Sequence, residues 1–175
     1  MERIKLLEKE QVSENVQDTL DNISHGARTI NIFKAMANSS AVLNMFAGIA
    51  GALKEASIPA EISERIAVRL AIINNCEYCL AAHSYAASKV LPHEEVLAAR
   101  VGKSADAKAQ TALLFAESVM KNAGHVSDEE FQSMREAGFT DGEILEVVAI
   151  VSLNFFTNAI NGVSQTKVDF PKPKE

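Results

Sequence analysis

Apolar residues recur three and four positions apart along most of the chain, which is the spacing of amphipathic α-helices. One such segment begins after the serine pair 39–40 and ends at the loop 57–59. The next begins at Ala60 and runs to the asparagine pair 74–75, where two poor helix formers predict a break. The helical pattern resumes over 76–89. If the chain reverses at the asparagine pair, the helices on either side of it lie antiparallel.

Capping residues predict where other helices begin and end. Ser13 is expected to cap a helix that ends near Gly26, and a short helix is expected over about 30–37. Pro92 is expected in the first turn of a further helix, and Ser104 is expected to cap a long alanine-rich one. Capping boxes precede the last two helices at Ser127 with Glu130 and at Thr140 with Glu143. Eight or nine helices result.

Composition agrees with one helical domain. The chain has 175 residues, 47% of them hydrophobic, with few glycines and prolines. A chain of this length buries about 70% of its unfolded surface, so it folds without needing disulfides or a structural metal, and its two cysteines are free for chemistry. We predict an all-α, multi-helical single domain over 25–170. A charged, loosely held lead-in and a helix occupy 1–24, and a tail occupies 171–175.

Charge and hydropathy exclude several partners. The net charge is −6, the isoelectric point is near 5.3, and no stretch concentrates basic residues, so nucleic acid is not an expected partner. The apolar runs are interrupted before the length that spans a bilayer, and the first residues lack the apolar core of a signal peptide, so no membrane partner is expected. We expect a cytoplasmic protein. In that reducing compartment a close cysteine pair is more often catalytic or metal-binding than a structural crosslink.

The chain also resembles itself after a shift of 82 residues, which aligns 60–68 with 142–150 at four identities in nine positions. The same register pairs Glu64 with Glu146, Cys76 with Asn158, Cys79 with Asn161 and His83 with Gln165. This pattern predicts a duplicated helical unit in which only the first copy keeps the redox-capable side chains. Shared amphipathic patterning would also explain the match.

The candidate chemistry lies in Glu64, Cys76, Cys79 and His83. On a helix that begins near Cys76, the two cysteines and His83 share one face. Cα atoms three residues apart on a helix are roughly 5 to 6 Å apart, which is within disulfide range, so the pair can close and reopen with little backbone movement. Unpaired N–H groups at the helix start favour the thiolate of Cys76, and His83 can accept or return a proton.

The position of Glu64 relative to the cysteines depends on whether the chain reverses. On one continuous helix it would lie about 18 Å from Cys76, too far for contact. If the chain turns back at the asparagine pair, Glu64 and His83 become nearly level. The reversal therefore predicts a proton relay from Glu64 through His83 to the cysteines.

Two other interpretations use the same cysteines. They can be small buried hydrophobic residues. They can also bind zinc together with His83, and the candidates for a fourth ligand are Glu64, His25 and His93. A second CxxC or HxxxH is absent from the sequence, which counts against a structural zinc site.

These residues resemble the carboxymuconolactone decarboxylase and alkylhydroperoxidase D family, in its peroxidase-related branch. The resemblance rests on Glu64-x11-Cys76-x2-Cys79-x3-His83, on the preceding 57–59 segment and on the stretch 31–37. It implies an all-α fold of duplicated helical units, assembled as trimers or hexamers with the site near a subunit interface. It also implies a hydroperoxide substrate, no bound organic cofactor, and an external thiol, lipoyl or thioredoxin-like reductant.

The resemblance further implies a role for each site residue. Cys79 would attack the peroxide and become a sulfenic acid, Cys76 would close the disulfide, and His83 with Glu64 would relay protons. The helix-start argument alone favours Cys76 as the more acidic thiol, so the two arguments differ on the attacking sulfur.

Tyr78 departs from the family pattern, because well-defined peroxidase members carry histidine between the cysteines. That departure keeps slower thiol-disulfide exchange open as the activity. A decarboxylase-like lyase and a non-catalytic oligomeric or zinc-binding protein also stay open. The decarboxylase branch generally lacks the cysteine pair, which makes the lyase the less favoured of the enzyme activities.

Overall fold

Nine α-helices and two short 3-10 turns form the chain in this computed structural model, which describes residues 2–174, and no strand occurs among those residues. The helices are α1 (Glu14–Ser24), α2 (Asn31–Met36), α3 (Ser40–Ala52), α4 (Ala60–Ile73), α5 (Glu77–Ala87), α6 (His93–Arg100), α7 (Ala107–Lys121), α8 (Asp128–Glu136) and α9 (Asp141–Ser164). The predicted all-α class is confirmed.

Helix α4 lies at the centre of the fold and packs against α5, α6, α7 and α9. Its Ile66 and Leu70 are fully buried in a core that also contains Phe115 of α7 and Val147 of α9. A second apolar cluster joins α1, α2 and α3 to the two cysteines. The cysteines are thus part of a packed interior, where the surrounding side chains fix their positions.

The lead-in is held more firmly than its charge predicts. The backbone N–H of Arg3 donates to Ser164, the N–H of Leu7 donates to Lys34, and Lys34 pairs with Glu8 at 2.7 Å. Leu7 also packs against the second apolar cluster. The expectation of a loosely held segment over residues 2–12 is therefore wrong, because the apolar side chains among its charges are partly buried.

Most predicted helix boundaries are confirmed, with two corrections at caps. Both capping boxes form, at Ser127 with Glu130 and at Thr140 with Glu143. Asp106, rather than Ser104, caps α7 by accepting the Ala109 N–H at 2.8 Å. The Ser104 hydroxyl donates instead to Glu95, and Pro92 is the N-cap of α6 rather than a first-turn residue.

Helix α9 continues through the positions that align with the break between α4 and α5, so the proposed repeat does not extend to the turn at the asparagine pair. The aligned position after that turn, Asn158, lies inside α9. Duplication of the unit stays a prediction.

Among residues 2–174, α9 alone meets the length and composition of a bilayer-crossing helix, a test that core helices also pass. The expectation that no segment is apolar over such a length does not hold for α9, and the absence of a membrane partner stays a prediction.

Candidate active site

The helix breaks at the asparagine pair, as predicted, and the chain reverses there, which is the condition that the Glu64 relay requires. Helix α4 ends at Ile73, Asn75 adopts a left-handed conformation with φ +51°, and α5 begins at Glu77. Asparagine tolerates this conformation better than most residues, which explains why it stands at the reversal. The Cys76 N–H donates back to Ala71 at 2.9 Å and closes the turn.

Cys76 and Cys79 are joined as a disulfide, with Cα atoms 5.3 Å apart. Cys76 is the N-cap of α5, and its Sγ accepts the Cys79 backbone N–H at 3.2 Å. Both residues are buried, at 6% and 3% exposed. The first turn of α5 therefore holds both sulfurs within bonding distance and gives one of them a backbone donor.

His83 and Glu64 face each other across the two helices. Nδ1 of His83 lies 3.0 Å from Oε2 of Glu64, and the two side chains are 30% and 23% exposed. A carboxylate partner favours the hydrogen on Nδ1, which leaves Nε2 of a neutral imidazole as a proton acceptor. The structure thus brings together the residues of the predicted relay.

Cys79 and His83 line one cavity of about 250 Å³. Most of its wall is apolar, formed by Ile30, Ile32, Phe33, Phe46 and Leu153. Cys76 lines a different and more polar cavity of about 310 Å³, together with Glu77 and Gln165. The two sulfurs therefore adjoin different surroundings, and only Cys79 shares a cavity with the histidine.

Two asparagines of α9 complete the wall beside Cys79, and sequence reasoning did not identify either as a site residue. Asn161 Nδ2 donates to Cys79 Sγ at 3.3 Å. Asn154 lines the same cavity and donates to the Ile150 carbonyl. The Oδ1 atoms of both are buried and lack a hydrogen-bond partner in the described part of the chain. The 82-residue register aligns Asn161 with Cys79, which is the one sequence signal linking them.

Tyr78 lies between the two cysteines in the sequence, but its hydroxyl forms hydrogen bonds with other parts of the chain. It accepts the Ile32 N–H at 3.3 Å and donates to Asp169 Oδ1 at 2.8 Å. Burial raises the pKa of this hydroxyl well above its usual value, so the phenol stays neutral. Its ring packs edge-on against Phe170. Tyr78 thereby connects the cysteine turn to α2 and to the C-terminal segment.

The zinc interpretation finds no ligand set in residues 2–174, where no three His, Cys, Asp or Glu side chains converge on a metal position. The two cysteines are bonded to each other. His25 lies at the end of α1, 2.7 Å from the Lys54 ammonium, and His93 begins α6.

Comparison with known proteins identifies the fold. Residues 40–122 match the model of the carboxymuconolactone decarboxylase family, a span that contains the four predicted site residues. No curated protein matches the sequence significantly.

Solved structures resemble nearly the whole chain. An uncharacterized peroxidase-related protein from Ralstonia eutropha JMP134, described as an alkylhydroperoxidase AhpD core, is 21% identical with a TM-score of 0.85, over 96% of this chain and 92% of that one. A peroxidase-related protein from Silicibacter sp. TM1040 is 22% identical with a TM-score of 0.80, over 94% and 89%. The debrominase Bmp8, solved with 2,3,4-tribromopyrrole, is 17% identical with a TM-score of 0.79, over 95% and 91%. At these identities the likeness establishes a shared fold.

Proposed function

Because residues 40–122 match the model of the carboxymuconolactone decarboxylase family, we propose that the chain is a thiol-dependent hydroperoxide reductase that works through Cys76 and Cys79. The observation that carries the proposal is the bonded cysteine pair, one of whose sulfurs shares a cavity with a histidine held by a carboxylate. A redox couple, a proton relay and an adjoining space for substrate are the parts that this reaction requires.

In the proposed cycle, Nε2 of the neutral His83 takes the proton of the Cys79 thiol, the resulting thiolate attacks the terminal oxygen of a hydroperoxide, and the O–O bond breaks. The departing alkoxide takes a proton from the His83 imidazolium and leaves as an alcohol, while Cys79 becomes a sulfenic acid. Cys76 then loses its thiol proton and attacks Cys79 Sγ, and the displaced hydroxide takes up that proton and leaves as water. The two thiols supply both electrons, and the product is the disulfide found here. We assign the attack to Cys79 because it alone shares the cavity with His83.

An external dithiol must return two electrons for another cycle. The cavity beside Cys76 supports attack on that sulfur from a polar side, away from the substrate cavity. We propose a small thiol, a lipoyl group or a thioredoxin-like protein as the donor, and no bound organic cofactor. A cytoplasmic location, where such reductants are kept reduced, belongs to the same proposal.

We also propose that the protein is a homo-oligomer, a trimer or a hexamer. Three large apolar side chains on α9, Leu145, Phe155 and Val163, are 69%, 56% and 64% exposed. Their spacing places them along one side of the helix. A long apolar helix surface of this kind is typical of a subunit contact.

A second candidate reaction is reductive dehalogenation of an N–H heteroaromatic ring. The supporting observation is a small apolar cavity with two buried amide oxygens that lack a donor, which suits an apolar ring carrying an N–H. Bmp8, which shares the fold, was solved with a brominated pyrrole. Cys79 would take the halogen from carbon, the carbon would take a proton, and Cys76 would displace halide to close the disulfide. Thiol-disulfide exchange and a decarboxylase-like reaction have no comparable observation in their favour.

The test is dithiol-driven consumption of cumene hydroperoxide and hydrogen peroxide by the wild-type protein, Cys79→Ser and Cys76→Ser. We expect turnover in the wild type and none in either variant. The same preparations are incubated with 2,3,4-tribromopyrrole, and bromide is measured. Equal peroxide consumption by the wild type and Cys79→Ser would refute the proposal. Bromide release without peroxide turnover would favour the second candidate.

A further inference from the structure

Asn161 contacts a reactive sulfur from outside the cysteine motif. It projects from α9, it is 5% exposed, and its Nδ2 donates to Cys79 Sγ at 3.3 Å. We propose that Asn161 is a catalytic residue whose side-chain N–H stabilises negative charge on the Cys79 sulfur. The proposal deepens the thiol cycle above, on which its role in turnover rests.

The amide is only half satisfied while the disulfide is closed. Its Oδ1 is buried without a partner in residues 2–174, and its Nδ2 faces a neutral sulfur, which is a weak acceptor. A buried polar group in this condition is unfavourable. When the disulfide opens, the same N–H faces a thiolate, and a hydrogen bond to an ion is roughly twice as strong as one between neutral groups. Asn161 therefore favours the open form with charge on Cys79.

Charge develops on Cys79 Sγ at two points of the cycle. The first is the thiolate that attacks the hydroperoxide. The second comes when an external thiolate attacks Cys76 Sγ: a mixed disulfide forms, the Cys76–Cys79 bond breaks, and its electron pair moves to Cys79 Sγ. The donor from α9 stabilises the anion at both points.

The two sulfurs have separate donors, so the effect of Asn161 is specific to one of them. Cys76 Sγ accepts the backbone N–H of Cys79 at 3.2 Å, whereas Cys79 Sγ accepts from Asn161. The backbone donor explains why a helix-start argument favours Cys76 as the acidic thiol. The Asn161 donor stabilises negative charge on Cys79 to a comparable extent, and it comes from a residue outside the cysteine motif.

The test is alkylation of the reduced protein by iodoacetamide across a pH series, with the modification of each cysteine followed by mass spectrometry. In Asn161→Leu we expect Cys79 to react about tenfold more slowly at pH 7 and its profile to move to higher pH, because less thiolate is present. Asn161→Asp is nearly isosteric and replaces the donor with a negative charge, so we expect a larger change in the same direction. Asn154→Leu is the matched control, because it removes a buried amide of the same wall that does not contact sulfur.

A second readout is the equilibrium of the disulfide with glutathione. Loss of the donor should move the equilibrium several-fold toward the disulfide in Asn161→Leu, and Asn154→Leu should leave it unchanged. Unchanged Cys79 alkylation in folded Asn161→Asp, or equal changes in Asn161→Leu and Asn154→Leu, would overturn the proposal. Because neither readout uses a peroxide, the wild-type protein failing to reduce hydroperoxides would refute the proposed function while leaving this result intact.

Discussion

Replacing Tyr78 with phenylalanine tests whether this residue positions the cysteine turn or takes part in the chemistry. The substitution keeps the ring and removes a hydroxyl that accepts from Ile32 N–H and donates to Asp169. Ile32 is 5% exposed, so its N–H loses a partner that water cannot easily replace. Asp169 keeps its bonds to Arg28 and to the Asn31 N–H. The variant should therefore fold with reduced stability.

The loss follows from these two hydrogen bonds. An unpaired buried donor costs about 1 to 3 kcal/mol, and a bond to a carboxylate contributes about 1.5 to 3 kcal/mol. Because Asp169 keeps other donors, we expect a total near 3 kcal/mol, and thus a fall in Tm of about 6 to 12 °C for a chain of this size. Thermal unfolding by circular dichroism measures it. The control is Tyr85→Phe, because Tyr85 is 47% exposed, and its Tm should change by about 1 °C or less.

The same variant separates structure from catalysis. At a temperature where Tyr78→Phe is fully folded, we expect dithiol-driven peroxide turnover within about threefold of the wild type, since the hydroxyl points toward Asp169 and stays neutral. An unchanged Tm would refute the hydrogen-bond argument. A stable variant that has lost turnover would show that the hydroxyl acts in the reaction.

Three further predictions follow from other contacts. Glu64→Gln and His83→Gln should each slow peroxide turnover, the histidine variant by about 10² to 10⁴-fold. The control is Glu61→Gln, an exposed position one turn earlier, which should keep the wild-type rate; equal rates in all three variants would exclude the relay. Glu95 accepts hydrogen bonds from the Ala105 N–H and from Arg65, which hold its pKa below the ordinary 4.5, so its contribution to stability is present above that pH and is lost as the pH falls below it. In urea titrations, Glu95→Gln should therefore lower the free energy of unfolding by about 3 kcal/mol at pH 7 and by less at pH 3. An equal loss at both pH values would contradict the assignment. Phe155→Asp should reduce the molar mass measured by light scattering, which an unchanged oligomer would contradict.

Much of the fold and the core of the site follow from local sequence. Apolar spacing gives the helices, and the capping boxes at Ser127 and Thr140 form because their partners lie three residues away. The reversal at Asn75 follows from the tolerance of asparagine for a left-handed backbone. That single turn makes Glu64 level with His83, so the relay geometry was predictable from residue counting.

The parts that were not predictable depend on contacts between distant segments. Asn161 lies 82 residues from Cys79, and Asp169 lies 91 residues from Tyr78. Helical periodicity says which side of a helix is buried, but not which polar side chain of another helix meets it. The anchored lead-in is a similar case, because its bonds go to Lys34 and Ser164. Even the Asp106 cap was missed, since a serine two residues earlier fits the same local rule.

The most direct test of the redox cycle is a single-turnover titration. The protein is reduced, freed of reductant, and mixed with one equivalent of cumene hydroperoxide, after which thiols, alcohol and peptides are quantified. We predict two thiols lost and one alcohol formed per peroxide, with one disulfide between Cys76 and Cys79, and a sulfenic acid trapped on Cys79 in Cys76→Ser. Thiols that survive the peroxide unchanged, or a sulfenic acid that forms on Cys76 in Cys79→Ser and never on Cys79, would contradict the proposed cycle.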